Sequence, residues 1–129
     1  GTDTNASTGT YIAYCWTPVS GYSAFGSYTG NGSVDGPFVF LGFRPRWVMT
    51  KRTDATSDWR IIDTSRDTYN VASAQLYPDL TSAEASGAML DSLSNGFKIR
   101  NTDVGYNASA GAYIYAAFAE NPFKLALAR

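Results

Sequence analysis

Ala112-Tyr113-Ile114-Tyr115-Ala116-Ala117-Phe118-Ala119 reads as a β-strand that is apolar on both faces. Side chains alternate along a strand, so Ala112, Ile114, Ala116 and Phe118 share one face and Tyr113, Tyr115 and Ala117 the other. An antiparallel strand with one wet side shows a polar face; this one does not. It is therefore expected in the middle of a sandwich, or with its second face against a neighbouring subunit.

The lead-in to this strand occurs twice. Asn107-Ala108-Ser109-Ala110-Gly111-Ala112-Tyr113-Ile114 repeats Asn5-Ala6-Ser7-Thr8-Gly9-Thr10-Tyr11-Ile12 at a constant offset of 102, with six of eight positions identical. A Thr-Asp pair precedes each copy, as Thr2-Asp3 and Thr102-Asp103. The first copy continues into a second two-faced apolar run, Thr10–Trp16, which is expected to be a strand. The chain accordingly divides into residues 1–16, a strand echoing the closing strand of a repeat unit, and residues 17–129, a β-sandwich domain. Two copies of one strand need two places to pack. Tyr11, Ile12, Tyr14 and Trp16 are the side chains through which the first copy would add to a neighbour's sheet.

Outward from these copies, short apolar or alternating runs are punctuated by Gly, Pro, Asn and Asp, the pattern of an all-β chain. Strands are expected at Tyr22–Thr29, Pro37–Leu41, Arg46–Lys51, Asp58–Asp63 and Phe97–Asn101, with weaker ones near Tyr69–Ser73 and Ala83–Ala88. Turn chemistry separates them, at Gly30-Asn31-Gly32, Asp35-Gly36-Pro37 and Ser94-Asn95-Gly96 among others. Thr81-Ser82-Ala83-Glu84 resembles a capping box, which makes Leu80–Met89 the best helix candidate, although Ser86 and Gly87 weaken it. Seven to nine strands at this spacing predict a two-sheet antiparallel β-sandwich of jelly-roll or lectin-like type.

Composition narrows the chemistry. The chain has 129 residues, enough for one domain with a proper core, and a formal net charge of −1. Ten basic residues against eleven acidic ones, with no basic stripe, argue against a nucleic-acid partner. There is no histidine, which removes the usual general base and the commonest metal ligand. Cys15, the single cysteine, lies inside Tyr14-Cys15-Trp16 and is read as a small buried hydrophobe. No signal peptide, membrane-spanning run or starting Met is evident, so the chain reads as an excised or processed part of something longer.

Candidate sites are few. In Asp58–Asp67, Trp59 is a platform on which a sugar ring could stack, with Arg60, Asp63 and Arg66 to bond hydroxyls. The plainer reading is a strand entering a turn, with Asp63 bonded to Ser65 or Arg66. Tyr22, Tyr28, Tyr69 and Tyr77 lie in or near loops, where they would line a carbohydrate surface or pack in the core. Trp59, Arg60, Tyr69 and Tyr77 make up the glycan-binding candidate. Eight scattered acids, from Asp54 to Glu120, offer pairings for glycoside hydrolysis without a distinctive context, so no catalytic residue is assigned. Asp3, Asp35, Asp54 and Asp103 fall in polar loops but lack calcium-loop spacing, so no metal is assigned. Asn5, Asn31 and Asn107 head Asn-x-Ser tripeptides, which turn geometry explains more simply than glycosylation.

Several runs resemble a widespread phage structural-protein domain. They are Tyr28–Ser33, Leu41-Gly42-Phe43-Arg44-Pro45-Arg46-Trp47-Val48-Met49-Thr50-Lys51-Arg52, Trp59–Asp67, Leu93–Phe97 and Asn107–Ala116, in that order. The family occurs in tail-fibre-like and other virion surface proteins of tailed phages and prophages, often in tandem. The resemblance implies a virion localisation and no catalytic residues. The expectation is thus a non-enzymatic tail-fibre or surface-appendage domain that self-associates and contributes to attachment to host surface glycans. It would need no cofactor and insert in no membrane. The alternatives are a capsid or fibre-building subunit joined by strand addition through residues 10–16, and a surface-polysaccharide depolymerase.

Overall fold

A computed structural model describes residues 2–122. Its elements are α1 (Thr2–Asn5), β1 (Ser23–Thr29), β2 (Phe38–Phe40), β3 (Pro45–Arg52), β4 (Arg60–Asp63), β5 (Ala72–Leu76), β6 (Ala85–Leu93), β7 (Gly96–Ile99), α2 (Val104–Asn107) and β8 (Ala112–Ala119). The fold is all-β, but the strands do not divide into two sheets. They form one antiparallel sheet in the order β1-β8-β3-β4-β5-β6-β7-β2. The expected two-sheet sandwich of jelly-roll type is corrected to this single sheet, which rolls towards a barrel. Strand twist lets a sheet of this width curl and bury one face against itself, so no second sheet is required. The curl is visible where Tyr28 of β1 meets Phe97 of β7 edge-to-face, with ring centroids 6.1 Å apart. Those two strands stand six places apart in the sheet order.

The interior is lined by alternate residues. Val48 and Ala117 from the long strands meet Ile62, Ala72, Leu90, Phe97 and Ile99, all buried. Towards one end the interior becomes polar and aromatic. The Tyr106 hydroxyl donates to Gln75 Oε1 at 3.0 Å, and Gln75 Nε2 donates to the Tyr77 hydroxyl at 2.8 Å. The Arg60 guanidinium lies 4.9 Å from the Tyr106 ring and 5.6 Å from that of Tyr77.

Five expected strands, at β1, β2, β3, β4 and β7, and the closing β8 are where alternation and turn residues put them. The two weak ones are displaced, to β5 and β6, and the second half of the helix candidate at Leu80–Met89 lies within β6. Four residues with helical capping chemistry cannot hold a helix once 85–93 can complete ladders on both β5 and β7. Ser94-Asn95 is the two-residue turn joining β6 to β7, as Leu93 pairs with Gly96.

Both faces of β8 are explained. Tyr113 and Ala117 point inward and are buried, while Ile114, Ala116 and Phe118 lie on the outside of the sheet. Register carries that apolar outer face across neighbouring strands: Phe25 pairs with Ala116, Ala116 with Met49, Met49 with Ile61, and Ile61 with Leu76. The first copy of the strand behaves differently. Residues 10–16 form no strand. They run over the outer face instead, where Trp16 stacks on Phe25 at 6.3 Å and Tyr14 on Trp16 at 6.2 Å. Cys15 is exposed, not buried, because its segment joins no ladder.

Candidate functional site

Where the N-terminal segment crosses the sheet it builds one wall of an open apolar cleft of about 400 Å³. Tyr14 and Trp16 form that wall, Met49 lies between, and Trp59, Pro78 and Asp79 complete the lining. Alternation explains the placement. Arg60 and Ile62 point into the barrel, so Trp59, one position before β4, is left on the outer side beside Met49 of β3. Pro78 and Asp79 come from the connection between β5 and β6. Both oxygens of Asp79 accept the Trp59 backbone N–H, at 3.1 and 3.2 Å, which ties that connection to the start of β4.

The lining chemistry is specific: two indoles, one phenol ring, a thioether, a proline and a single carboxylate. Aromatic faces of this kind stack on the C–H faces of sugar rings, while a carboxylate at the rim has lone pairs left for hydroxyl donors. Among the described residues, no three His, Cys, Asp or Glu side chains cluster as a metal would require.

Of the four glycan-binding candidates, only Trp59 lines the cleft. Arg60 is buried and points the other way, with Nη1 2.9 Å from Asp103 Oδ1, while its Nε has no hydrogen-bond partner. Tyr77 packs against the same guanidinium on the interior side. Tyr69 is 83% exposed and lines no part of the cleft. Asp63 and Arg66 follow the plainer reading: Asp63 Oδ1 accepts the Ser65 N–H at 2.8 Å and pairs with Arg66 at 3.7 Å, and Arg66 also pairs with Glu84. Tyr28 is an interior residue, stacked on Tyr113 at 4.9 Å.

The assembly candidates divide. Tyr14 and Trp16 join Trp59 at the cleft, whereas Tyr11 and Ile12 do not. Ile12, 81% exposed, and Trp16, 66% exposed, leave a large apolar surface on this segment. Met49 and Pro78 were not singled out from sequence, and Asp79 entered only as one of the eight scattered acids. Met49 carried a signal, since period two puts it on one face with Trp47; nothing local in the sequence brings Pro78 or Asp79 to Trp59. Of the loop acids considered for calcium, Asp35 pairs with Lys98 and Asp54 with Arg52, each holding its carboxyl below the usual range. Asp103 pairs with Arg60 and caps α2, and the Asp3 side chain lies outside the described residues.

The family model described as a domain of unknown function, DUF7483, matches residues 1–122, a span that takes in both copies of the repeated motif. No curated protein and no solved structure matches the chain.

Proposed function

Starting from the fact that the chain belongs to the DUF7483 family of domains of unknown function, we propose that it is a non-catalytic binding domain of a phage virion surface or tail appendage. Its ligand is a saccharide of the host surface, bound in the cleft between the N-terminal segment and β4. The observation that carries this reading is the convergence of Trp16, Trp59 and Tyr14 on one open, apolar recess of ring-sized dimensions. Small-ligand sites are concave, mostly apolar and furnished with few polar groups, and this lining fits that description. Binding, not cleavage, is the use the lining supports. Glycoside hydrolysis needs two carboxyl groups about 5 to 9.5 Å apart, and Asp79 is the one carboxylate in the lining.

The virion setting rests on the resemblance of the motifs from Tyr28 to Ala116 to phage surface domains. A thinly charged surface rich in Ser, Thr, Asn and Gly suits it. The experiment is a panel of bacterial surface oligosaccharides presented to the intact chain and to Trp59→Ala. The reading requires at least one oligosaccharide that binds the former and loses most of its affinity for the latter. Binding that ignores Trp59 places the ligand elsewhere.

A further inference from the structure

The repeated sequence is also a repeated structure. α1 and α2 occupy equivalent positions, four residues each, at the offset of 102. Each is followed by the same reverse turn: Gly9 N–H donates to Ala6 O at 3.1 Å, and Gly111 N–H to Ala108 O at 2.9 Å. Each turn passes through a left-handed non-glycine residue, Thr8 with φ 66° and Ala110 with φ 60°. In each, a tyrosine hydroxyl accepts the amide at the head of the turn, Ala6 N–H to Tyr11 at 2.6 Å and Ala108 N–H to Tyr113 at 2.7 Å. Left-handed φ at Thr or Ala is unfavourable, so two occurrences at one offset mark a motif that the sequence specifies twice.

Only the second copy is seated. Asn107 is fully buried and donates to Ser33 O at 2.7 Å and Asn101 O at 2.9 Å. Gly30 and Gly111 are joined N–H to O at 2.8 Å, and β8 then enters between β1 and β3. The socket for the motif is thus the 30–35 loop, β1 and β3. In the first copy Asn5 is exposed and Tyr11 is 45% exposed. Matched at the offset, the residues facing inward would be Tyr11 for Tyr113, Ala13 for Tyr115 and Cys15 for Ala117. Those facing outward would be Ile12 for Ile114, Tyr14 for Ala116 and Trp16 for Phe118. No charge enters the core, and the sulfur of Cys15 lies beside the volume that Ala13 vacates. On the outer face, Tyr14 for Ala116 and Trp16 for Phe118 would enlarge the apolar contact with Phe25, Met49 and Trp47.

We propose that residues 2–16 are a second closing segment, which seats between β1 and β3 of a second copy of this chain in place of that copy's own residues 104–118. The exchange replaces one α–turn–strand by its duplicate, so the ladders to β1 and β3 are kept, as in domain swapping. The resident segment has the advantage of its tether, so exchange is favoured where copies are concentrated, as on an assembled particle. Each chain has one such place and two segments, so an acceptor's own residues 104–118 are left unseated, and the contact is head-to-tail. This inference does not rest on the saccharide reading.

The test uses the full chain, warmed close to its melting temperature, cooled, and examined by sedimentation from micromolar to millimolar concentration. Species larger than a monomer are expected at the high end, with loss of Cys15 alkylation in the oligomer fraction and return to monomer on deletion of residues 2–16. A chain that stays monomeric throughout, or oligomers that survive the deletion, overturn the proposal. A second variant guards against slow exchange: the full chain with residues 104–118 replaced by the sequence of residues 2–16, alone and with Tyr retained at position 115. Cooperative folding of either graft, with the transplanted thiol unreactive, shows that the segment fits the socket; if neither folds, the proposal falls. Trp59→Ala leaves this socket intact, so failure of saccharide binding and failure of exchange are read separately.

Discussion

Asn31 and Asn107 exchange two hydrogen bonds across the end of the rolled sheet. The Asn31 backbone N–H donates to Asn107 Oδ1 at 2.7 Å, and Asn107 Nδ2 donates to Asn31 Oδ1 at 3.1 Å. Asn107 also reaches Ser33 O and Asn101 O, so one buried amide fastens the β1–β2 connection, the end of β7 and α2 together. Asn107→Ala empties a fully buried site and strips three part-buried segments of the bonds that join them, and should cost about 2 to 3 kcal/mol. Asn5→Ala, at the exposed copy of the same position, should stay within about 0.5 kcal/mol. Urea unfolding of the two variants measures the contrast.

Gly105 is a second pressure point. A Cβ there would meet the Arg60 guanidinium, which is buried against Tyr106 and paired with Asp103. Arg60 cannot withdraw without breaking that pairing in a poorly solvated place. Gly105→Ala should therefore destabilise by about 2 to 4 kcal/mol, above the usual cost of overpacking. Thermal unfolding checks it.

Stability should fall at both ends of the pH scale, for different residues. The Asp67 carboxylate accepts the Ser73 N–H, the Ser73 hydroxyl and the Ala74 N–H, which hold its pKa below the usual carboxylate value. Its contribution is complete above the unfolded-state pKa of about 4 and disappears as pH falls through the lower folded value. Burial raises the hydroxyls of Tyr28 and Tyr106 well above the ordinary tyrosine range. Their contribution is complete below pH ~10 and is lost as pH rises from there towards the folded values. Asp67→Asn should flatten the acid limb of a stability–pH curve and Tyr28→Phe the alkaline limb, each leaving the other limb in place.

Much of the sheet was legible in the sequence because period two and turn residues are local signals. Trp47–Arg52 and Ala112–Ala119 declared their faces, and Ser94-Asn95 its hairpin. Closure was not legible. Whether eight strands divide into two layers or roll into one depends on twist summed over the whole sheet, which no single run encodes. Residues 10–16 misled for a related reason: they carry the pattern of β8, but β8 already holds the place between β1 and β3. At the cleft, Trp59 was readable as a stacking platform within the strand expected at Asp58–Asp63. Its partners were not, since Trp16 and Asp79 reach it through loops whose course follows from packing. Arg60 was misplaced because charge suggested solvent, while alternation from Ile62 put it inside.

The cleft and the proposed exchange draw on the same side chains, Tyr14 and Trp16. A saccharide held between Trp16 and Trp59 keeps the N-terminal segment on its own domain and so opposes its transfer. By linkage the two equilibria disfavour each other equally. A saccharide that binds the cleft should shift concentrated chain towards monomer in sedimentation, and should lose that effect in Trp59→Ala.

Binding at the cleft is tested most directly by following the indole N–H resonances of Trp16, Trp47 and Trp59 while a bacterial surface oligosaccharide identified by the panel is added to the intact chain. Saturable shifts are expected at Trp16 and Trp59, with smaller ones at Trp47, which lies outside the cleft lining, and they should be lost in Trp59→Ala. Saturable binding that leaves both Trp16 and Trp59 unmoved, or that persists undiminished in Trp59→Ala, would contradict binding at the cleft.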